Sequence, residues 1–425
     1  MVLRAGRCAG RCTRACVPCV VWHRYELALN TFYDGFTQLF NLACAVDTPD
    51  VLNTKWPRRV DEISNEWLSA LMGRTVTKHT KKLLEDGALS DACIVSLTFD
   101  AGDARAGRGV DSVVLKYAKA NDASRLAAVN AGSYEKECHA YDSVKDILGL
   151  KTPDCYGVFR EEGSYEWFCI CMENLALDNE ELDQTKGISV EEQRELVHII
   201  ANFNGKHYKN PEIMTQPWVF PKDDDKYLPF FAPYFDAFAA DPSSYDGLQA
   251  AFDRAPERKM SLTNHDDPYL IAITKFMQGP KGVATANKLY EIWATRPMTL
   301  LHGDTRSNNI FKSKTDGSYT FIDWQMIGAG PPGIELVQLM SASMAGTVGN
   351  LPNYAEIPKL VEEYYEVLIA AAPELATDGY TLDLCKQDFS LALVPLYFGC
   401  CCAIGPMFFE LPLDNGLWPF LEVSS

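Results

Sequence analysis

The sequence is poor in basic charge and contains no internal repeat or low-complexity segment. Its 425 residues include 57 Asp and Glu against 39 Lys and Arg, which gives a formal net charge of −18. Nucleic acids and anionic membrane surfaces attract basic proteins, so this balance argues against both as partners. It favours cationic or neutral partners, and the alternative is that the acidic surface serves only solubility. The absence of repeats excludes solenoid and array architectures.

A disulfide framework is also missing, although the chain contains 14 Cys. Four of them lie in an Arg-rich start with no standard zinc spacing, and Cys400 to Cys402 are consecutive, which disfavours bridges among them. This pattern predicts a reducing compartment, and we expect a cytoplasmic protein. Residues 1–24 contain five Arg and no Asp or Glu, so an organelle-targeting segment is the alternative to a disordered tail.

Long hydrophobic runs are scarce. One stretch, residues 389–409, has no charge over 21 residues, a length that could span a membrane. Two Pro and two Gly interrupt it, and no basic cluster flanks either end. We therefore predict a buried helix followed by a turn, not a membrane span.

Residues 60–173 carry the signals of a small lobe with strands and helices. Apolar or β-branched runs at 92–99 and 111–118 predict a first hairpin, and residues 133–149 predict a helix. Residues 155–175 predict a second hairpin with a Glu-Glu-Gly turn. The order strand, strand, helix, strand, strand indicates an α+β lobe.

Two helix starts are visible from capping residues. Ser64 precedes a helical pattern that ends at Gly73, and Ser189 is followed three residues later by Glu192 at the start of a longer pattern. The Ser64 cap and the Gly73 end predict the first helix. In the second segment Ser189 and Glu192 can satisfy each other's neighbouring backbone N–H groups, which predicts a helix there too.

Three parts of the chain follow from these signals. Residues 1–59 form an N-terminal extension, with an amphipathic helix at 27–46 and a linker after it. Residues 60–173 form the small lobe. Residues 174–425 form a larger, mainly helical lobe with an insert at about 209–300, in which no motif is readable.

Two polar clusters stand at the ends of apolar runs late in the chain. "LLHGDTRSNNIF" contains Asp304 and Asn309, and "YTFIDWQ" contains Asp323. A predicted hairpin with an Asp-Gly turn joins them and folds the second cluster back onto the first. Two carboxylates and a carboxamide suit Mg²⁺ that holds phosphates, with one carboxylate left to accept a hydroxyl proton. We expect His302 to support the loop, and each residue alone is an ordinary loop residue.

The ordered pair of clusters resembles the aminoglycoside phosphotransferase and choline kinase family, most closely its ecdysteroid-kinase-like, CHK kinase-like branch. The family pattern H-G-D-x-R-x-x-N, then V/I-D-W/F-Q, is met at residues 302–309 and 322–325. Protein kinases carry H-R-D and D-F-G instead, so the pattern implies a small-molecule substrate. The resemblance implies an α+β, two-lobed protein-kinase-like fold, with a small antiparallel-sheet N-lobe and a larger, mainly helical C-lobe.

The resemblance also implies a Lys at the end of an N-lobe strand and a Glu on the next helix. Lys116 in "VVLK" and Glu137 in "SYEKECHAY" fit, and Tyr134 and Tyr141 flank the glutamate as in the family. Lys116 would hold the α- and β-phosphates of ATP, and Glu137 would fix its ammonium. Taken singly, the alternatives are a strand-end Lys that reaches water and a Glu on a helix face.

The rest of the implied site has four roles. A catalytic base accepts the hydroxyl proton, two residues hold Mg²⁺, two are structural, and three complete the nucleotide site near the phosphate loop and at the hinge. The catalytic base is Asp304, and the Mg²⁺ ligands are Asn309 and Asp323. The structural residues are His302 and Arg306, and the further nucleotide-binding residues are Ser90, Met172 and Asn174.

Two positions depart from the family pattern. The phosphate-covering loop near "DGALSDAC" has only Gly87 in place of G-x-G-x-x-G, so Ser90 and backbone N–H groups are expected to cap the phosphates. Glu335 stands where the family usually has Asp, which keeps the charge but changes its reach.

These observations predict an ATP- and Mg²⁺-dependent kinase that transfers the γ-phosphoryl group to a hydroxyl of a small molecule. Acidic runs in the insert, "KDDDKY" and "NHDDPY", would attract a cationic acceptor, with a solvated loop as the alternative. A catalytically inactive, nucleotide-binding pseudokinase or scaffold is the rival function. No activation segment of the protein-kinase type is recognisable after Asp323, which argues against a protein acceptor.

Overall fold

The computed structural model describes residues 50–84, 89–103, 110–161, 163–183, 187–219, 288–289, 291–342 and 356–398. The chain divides into two compact units, residues 1–55 and 56–425. One short helix of the first unit is described, α1 (Asp50–Thr54). The linker predicted after residue 46 is therefore wrong at residues 50–54, where an Asp in the first turn favours a helix. The helix predicted at 27–46 lies outside the described residues.

The second unit begins with a capped helix, α2 (Asn65–Met72). The Ser64 hydroxyl oxygen accepts a hydrogen bond from the Trp67 N–H at 3.2 Å, and Gly73 ends the helix with a left-handed φ of 68°. The predicted helix and both of its ends are confirmed. Trp67 and Leu68 are fully buried, so the helix packs its apolar face against the sheet that follows.

Five antiparallel strands form that sheet, in the order β1–β2–β3–β5–β4. They are β1 (Val76–Leu83), β2 (Ser90–Phe99), β3 (Ser112–Ala118), β4 (Cys155–Arg160) and β5 (Phe168–Glu173). The two predicted hairpins are confirmed. Strand β1 was not predicted, because its sequence "VTKHTKKL" is mostly polar. An edge strand pairs on one side only and tolerates exposed Lys, which hides the usual apolar signal.

Three helices connect β3 to β4, where the sequence predicted one. They are α3 (Asp122–Asn130), α4 (Ser133–Asp142) and α5 (Lys145–Leu148). The helix predicted over 133–149 breaks after α4, because the N–H groups of Ser143 and Val144 both bond to the carbonyl of His139. Gly149 then ends α5 with a left-handed φ of 83°. The break leaves α4 as a separate helix against the sheet.

The C-lobe is built mainly from helices. The long ones are α6 (Val190–His207), which begins with the predicted Ser189–Glu192 capping box, α8 (Ile357–Ala371) and α10 (Leu382–Phe398). A short α7 (Glu335–Val337) and α9 (Glu374–Thr377) lie between them. Helices α6 and α8 approach closely at Gly205, where an added Cβ would lie 2.6 Å from the Cβ of Ala371.

Two small sheets position the two polar clusters of the C-lobe that contain Asp304 and Asp323. One has the order β6–β8–β9, from β6 (Asn179–Glu181), β8 (Ile310–Ser313) and β9 (Tyr319–Phe321). The other pairs β7 (Thr299–Leu301) with β10 (Gly328–Gly330). The predicted hairpin is confirmed as β8–β9, with Gly317 at a left-handed φ of 71°. The fold is thus α+β and two-lobed, as predicted.

The charge-free stretch at 389–409 begins inside α10. The predicted helix is confirmed as far as Phe398, and Phe389 and Ala392 on it are buried. The predicted turn lies outside the described residues. Among the residues that the structure describes, no helix has the length and apolar character needed to cross a membrane.

Candidate active site

The Lys116 ammonium is shared by two carboxylates from distant parts of the chain. Its Nζ donates to Glu137 Oε1 at 2.6 Å and to Asp323 Oδ1 at 2.9 Å. The Lys116, Glu137 and Asp323 side chains are 12%, 0% and 17% exposed, so the three charges are largely removed from water. We call these residues the ammonium triad. It joins strand β3, helix α4 and the end of the β8–β9 hairpin.

The two carboxylates of the ammonium triad differ in their electrostatics. Burial, and then the nearby Asp323 charge, raise the pKa of Glu137 against the opposing effect of Lys116. Burial acts on Asp323 too, but the Lys116 ammonium outweighs it and lowers the pKa of that carboxyl below its usual range. Asp323 is therefore the carboxylate that stays ionised most firmly, which suits a ligand for a cation.

The backbone at Asp323 directs its carboxylate. Asp323 has a φ of 65° and a ψ of 65°, the left-handed region that few residues other than Gly adopt. Asp and Asn tolerate this region better than most side chains. A single 3₁₀ turn, Trp324–Met326, follows, and Gln325 Nε2 donates to Asp323 Oδ2 at 3.3 Å. The strained residue thus ends the hairpin with its carboxylate turned toward Lys116.

Helix α4 is fixed by the tyrosine before Glu137. The Tyr134 hydroxyl donates to the carbonyl of Leu89 and accepts from the N–H of Lys119 at 3.1 Å. These partners lie next to the start of β2 and the end of β3. Tyr134 is fully buried and its ring lies 4.6 Å from that of Phe168 on β5. The helix is therefore tied to three strands of the sheet, which places Glu137 beside Lys116.

The loop after β7 is held against the turn after Asp323. Gly303 has a left-handed φ of 85°, and an added Cβ would overlap the carbonyl oxygen of Met326. Any larger residue would clash there, so glycine is required by both conformation and space. This packing brings the Asp304 loop and the Asp323 turn together.

His302 joins the same two segments through both ring nitrogens. Its Nε2 lies 3.1 Å from the Ile322 carbonyl oxygen, and its Nδ1 lies 3.3 Å from the Asp304 N–H nitrogen. A neutral imidazole with its proton on Nε2 satisfies both bonds, so we assign that tautomer from the bonding partners. Burial lowers the pKa of His302 to about 4. Its geometry therefore suits support of the loop and not proton donation at neutral pH.

Glu335 at the start of α7 holds the backbone of the same loop. Its carboxylate accepts the N–H groups of His302 at 2.6 Å and Gly303 at 3.1 Å. Its carbonyl oxygen accepts the Thr305 hydroxyl at 3.0 Å. Glu335 therefore binds the chain on both sides of Asp304. Burial raises the pKa of Glu335 to about 7. The sequence marked Glu335 only as a departure and gave no sign of this contact.

Asp304 is buried beside its loop partners. Burial raises the pKa of Asp304, while the Arg306 guanidinium, whose Nε lies 3.5 Å from Asp304 Oδ2, partly offsets that rise. Asn309 Nδ2 donates to the Asp304 carbonyl at 2.9 Å, and the Asn309 carbonyl accepts the Ile322 N–H at 2.9 Å. These bonds bring all three oxygen-bearing residues of the sequence prediction into one region of the fold.

The donor set fits a hard cation. The Asp323 carboxylate and the Asn309 carboxamide are oxygen ligands of the kind that Mg²⁺ prefers. Within the described ranges, no three His, Cys, Asp or Glu side chains group in a way that could hold a metal. A metal held here would therefore need phosphate or water oxygens to complete its coordination, as Mg²⁺ in nucleotide sites usually does.

The other residues predicted to bind the nucleotide lie on two strands of the N-lobe sheet and just after the second of them. Ser90 is the first residue of β2 and is buried, while Gly87 lies outside the described residues. Met172 is buried on β5. The Asn174 side chain donates to the Ser112 hydroxyl at 2.9 Å, so it ties the hinge to the start of β3.

Comparison with protein families identifies the chain. A model of the ecdysteroid kinase-like family matches residues 86–376, more than half of the sequence. The chain belongs to the ecdysteroid kinase-like family. This confirms the resemblance drawn from the two polar clusters, and the matched range contains every site residue named above. No match was found among curated proteins.

Several solved structures are similar to this family member. An ethanolamine kinase from Plasmodium vivax aligns at 11% identity with a TM-score of 0.42, over 88% of this chain and 91% of the other. A microcompartment-associated aminopropanol kinase aligns at 13% identity and 0.38, over 80% and 96%. An aminoglycoside phosphotransferase from Streptomyces rimosus, in complex with ADP and streptomycin, aligns at 14% identity and 0.39, over 75% and 92%.

The ecdysteroid kinase-like chain has one apolar surface that sequence reasoning missed. Ala92 pairs with Lys116, and Ile94 pairs with Val114, which in turn pairs with Met172. Because cross-strand partners share a face of a sheet, Ile94, Val114 and Met172 lie on the same face as Lys116. The signal was present in the sequence, since Val114 stands two residues before Lys116. This face offers an apolar surface beside the ammonium.

Proposed function

We propose that the protein is an ATP- and Mg²⁺-dependent phosphotransferase that transfers the γ-phosphoryl group to a hydroxyl of a small molecule. The observation that carries this proposal is the convergence of Asp304, Asn309 and Asp323 in one region, with Lys116 bonded to the last of them. Membership of a kinase-like family supports the same reading. Positioning and charge neutralisation are the main requirements of phosphoryl transfer, and these four groups supply them.

On the nucleotide side, we assign the phosphates to Lys116 and the adenine to the apolar face of the sheet. Lys116 holds the α- and β-phosphates, and Glu137 keeps its ammonium in place. Ile94 and Val114 cover the adenine ring, whose polar edge meets backbone groups of residues 172–174. The Lys116 ammonium lowers the pKa of Asp323, so its carboxylate would be ionised and able to hold a cation beside the phosphates.

Asn309 and Asp323 would hold Mg²⁺. The chemistry that Mg²⁺ would supply there is positive charge that offsets the negative charge of the phosphates. Ionised Asp323 and the neutral Asn309 carboxamide give this position one formal negative charge from the protein.

On the acceptor side, Asp304 orients the hydroxyl and accepts its proton. The acceptor O–H bond breaks, a bond forms between its oxygen and the γ-phosphorus, and the bond from that phosphorus to the β,γ-bridging oxygen breaks to release ADP. Burial raises the pKa of Asp304 and makes it a better base, while Arg306 favours the ionised form that a base requires. The net charge of −18 favours a cationic alcohol as acceptor.

The experiment is a transfer assay with labelled ATP and Mg²⁺ across a panel of alcohols. The panel contains amino alcohols, quaternary ammonium alcohols, sugars and sterols, and mass analysis identifies any product that has gained one phosphoryl group. We expect phosphorylation of at least one cationic alcohol by the wild type and none by Asp304→Asn. Nucleotide binding without transfer to any alcohol would overturn the proposal that the protein is an active phosphotransferase. It would favour an inactive, nucleotide-binding scaffold.

A further inference from the structure

A short segment before residue 220 stacks on the helix that carries Glu137. The Trp218 indole lies almost parallel to the His139 imidazole, with centroids 5.1 Å apart and planes 9° apart. Trp218 is 3% exposed. His139 is on α4, two residues after Glu137, and its ring is also held by the Tyr165 hydroxyl at 3.0 Å and the Ser143 hydroxyl at 3.1 Å. The stack is therefore a defined contact between fixed rings.

The same segment is bonded to the strand that follows Asp323. The Val219 carbonyl oxygen accepts the Ala329 N–H at 2.8 Å, at strand β10. Gly328 leaves no free space there, because an added Cβ would lie 3.1 Å from the Val219 oxygen and 3.7 Å from Nζ of Lys136 on α4. Helix α4, strand β10 and this segment thus meet at one point.

The segment has its own anchors. The Val219 N–H bonds to the Gln216 carbonyl at 3.1 Å, and the Gln216 N–H bonds to the Ile213 carbonyl at 3.0 Å. Ile213 is fully buried. We call residues 216–219 the bridging segment. Because it is fixed to the C-lobe and to itself, it can act as a rigid support for α4.

The supports of α4 are distributed along the helix. Tyr134 holds its first turn to the sheet, Glu137 holds the ammonium of Lys116, and His139 rests on Trp218. Burial lowers the pKa of His139, so the stack is one of neutral aromatic rings at neutral pH. Removing the indole would leave the second half of the helix without its contact to the bridging segment, and a small movement there shifts the Glu137 carboxylate away from Lys116.

We propose that Trp218 is a positioning residue for nucleotide binding: it holds α4 against the strand after Asp323, so that Glu137 and Asp323 meet Lys116 together. The inference rests on the proposed nucleotide site. Trp218 thereby connects the bridging segment of the C-lobe to the ammonium triad. Through this connection the bridging segment sets the position of Lys116, the proposed phosphate-binding residue.

The first test measures α4 without any nucleotide. Hydrogen exchange of the α4 amides is compared in the wild type, Trp218→Ala, Trp218→Phe and Trp167→Ala. Trp167 is a matched control, a partly buried indole of the N-lobe whose ring centroid lies 4.2 Å from Cζ of Arg125. We expect exchange to rise about fivefold in Trp218→Ala, as the energy of an aromatic pair allows, and to stay near wild type in the other two. Equal exchange in Trp218→Ala and wild type would overturn the proposal.

The second test asks whether the effect acts through Glu137. Calorimetric titration with ATP and Mg²⁺ is expected to show about fivefold weaker binding in Trp218→Ala than in wild type, with recovery in Trp218→Phe. In a Glu137→Gln background the same Trp218→Ala change should have no further effect, because its route to Lys116 is already lost. An equal loss in both backgrounds would overturn the positioning role. Absence of ATP binding by the wild type would instead overturn the proposed function, and the exchange result would still decide whether Trp218 positions α4.

Discussion

The ammonium triad and the Asp304 loop lie side by side but are held by different forces. In the triad, one buried ammonium is shared by Glu137 and Asp323 through ion pairs of 2.6 and 2.9 Å. In the loop, the Glu335 carboxylate accepts hydrogen bonds from backbone N–H groups and the His302 ring bonds to backbone groups, at 2.6 to 3.3 Å. The triad depends on charge balance, whereas the loop depends on backbone conformation.

Substitutions in the ammonium triad and in the Asp304 loop should therefore have different effects. A buried ion pair that loses one partner leaves an uncompensated charge, so changes in the triad should reduce stability and nucleotide affinity together. A loop that loses a backbone acceptor leaves the Lys116 ion pairs in place but misplaces Asp304, so changes there should reduce transfer and leave nucleotide affinity intact.

The largest effect is expected at Asp304. Replacing it with Asn removes the proton acceptor and keeps the shape of the side chain, so turnover should fall about a thousandfold. Affinity for ATP should stay within about twofold, since Asp304 does not contact Lys116. Steady-state transfer rates and calorimetric ATP binding measure the two quantities. A variant that keeps one tenth of wild-type turnover would contradict the role of Asp304.

Lys116→Met should reduce both stability and nucleotide affinity. Breaking the buried ion pairs costs about 3 kcal/mol of unfolding free energy, and loss of the charged contact weakens ATP binding on the order of thirtyfold. Chemical denaturation and calorimetry give the two values. Without the ammonium, Glu137 is better accommodated when protonated, so the loss of stability should grow as pH rises above its unfolded pKa.

The control for Lys116→Met is the double variant with Glu137→Gln. Removing one of the two stranded carboxylates should restore part of the stability and none of the nucleotide affinity. A double variant that is less stable than Lys116→Met would show that charge balance does not govern the triad.

Glu335→Gln should reduce turnover about tenfold with an unchanged Michaelis constant for ATP, because the amide can accept only one of the two backbone N–H groups. The variant should also change the pH dependence of stability. The folded pKa of Glu335 is about 7, above its ordinary value of 4.5, so the folded form binds the proton more tightly. Wild-type stability should therefore fall as pH rises from about 4.5 to about 7, and the variant should lack this component. Identical pH slopes would contradict the assignment.

The smallest effect is expected at a position remote from both regions. Ser64→Ala removes the oxygen that caps α2 and should cost about 1 kcal/mol of stability, with turnover and ATP affinity unchanged. Ser64→Asp should restore the cap. A change in ATP affinity in either variant would show that the N-lobe transmits helix stability to the site.

The Asp304 loop was readable in the sequence for a physical reason. Asp304, Asn309 and Asp323 are close along the chain, and the Asp-Gly turn between β8 and β9 is a strong local signal that folds them together. Ser64, Ser189 and Glu192 were readable for a similar reason, since capping acts over three residues. Local interactions of this kind leave a pattern in a single sequence.

Other features were hidden because they depend on distant partners. Strand β1 forms although its residues are mostly polar, because β2 supplies its hydrogen bonds. The Glu335 contact with the Asp304 loop and the Trp218 stack on His139 join residues far apart in the chain, and neither leaves a local pattern. Lys116 and Glu137 could be named only because the family resemblance required such a pair.

The most direct test of the account is a calorimetric titration of ATP into the wild type and Asp323→Asn, each with and without Mg²⁺. Asn keeps the left-handed backbone accessible and removes the charge, so the variant isolates the carboxylate. We predict that Mg²⁺ strengthens ATP binding by the wild type and has no such effect on Asp323→Asn. Equal strengthening by Mg²⁺ in both proteins would contradict a metal–phosphate site formed by Asp323 opposite Lys116.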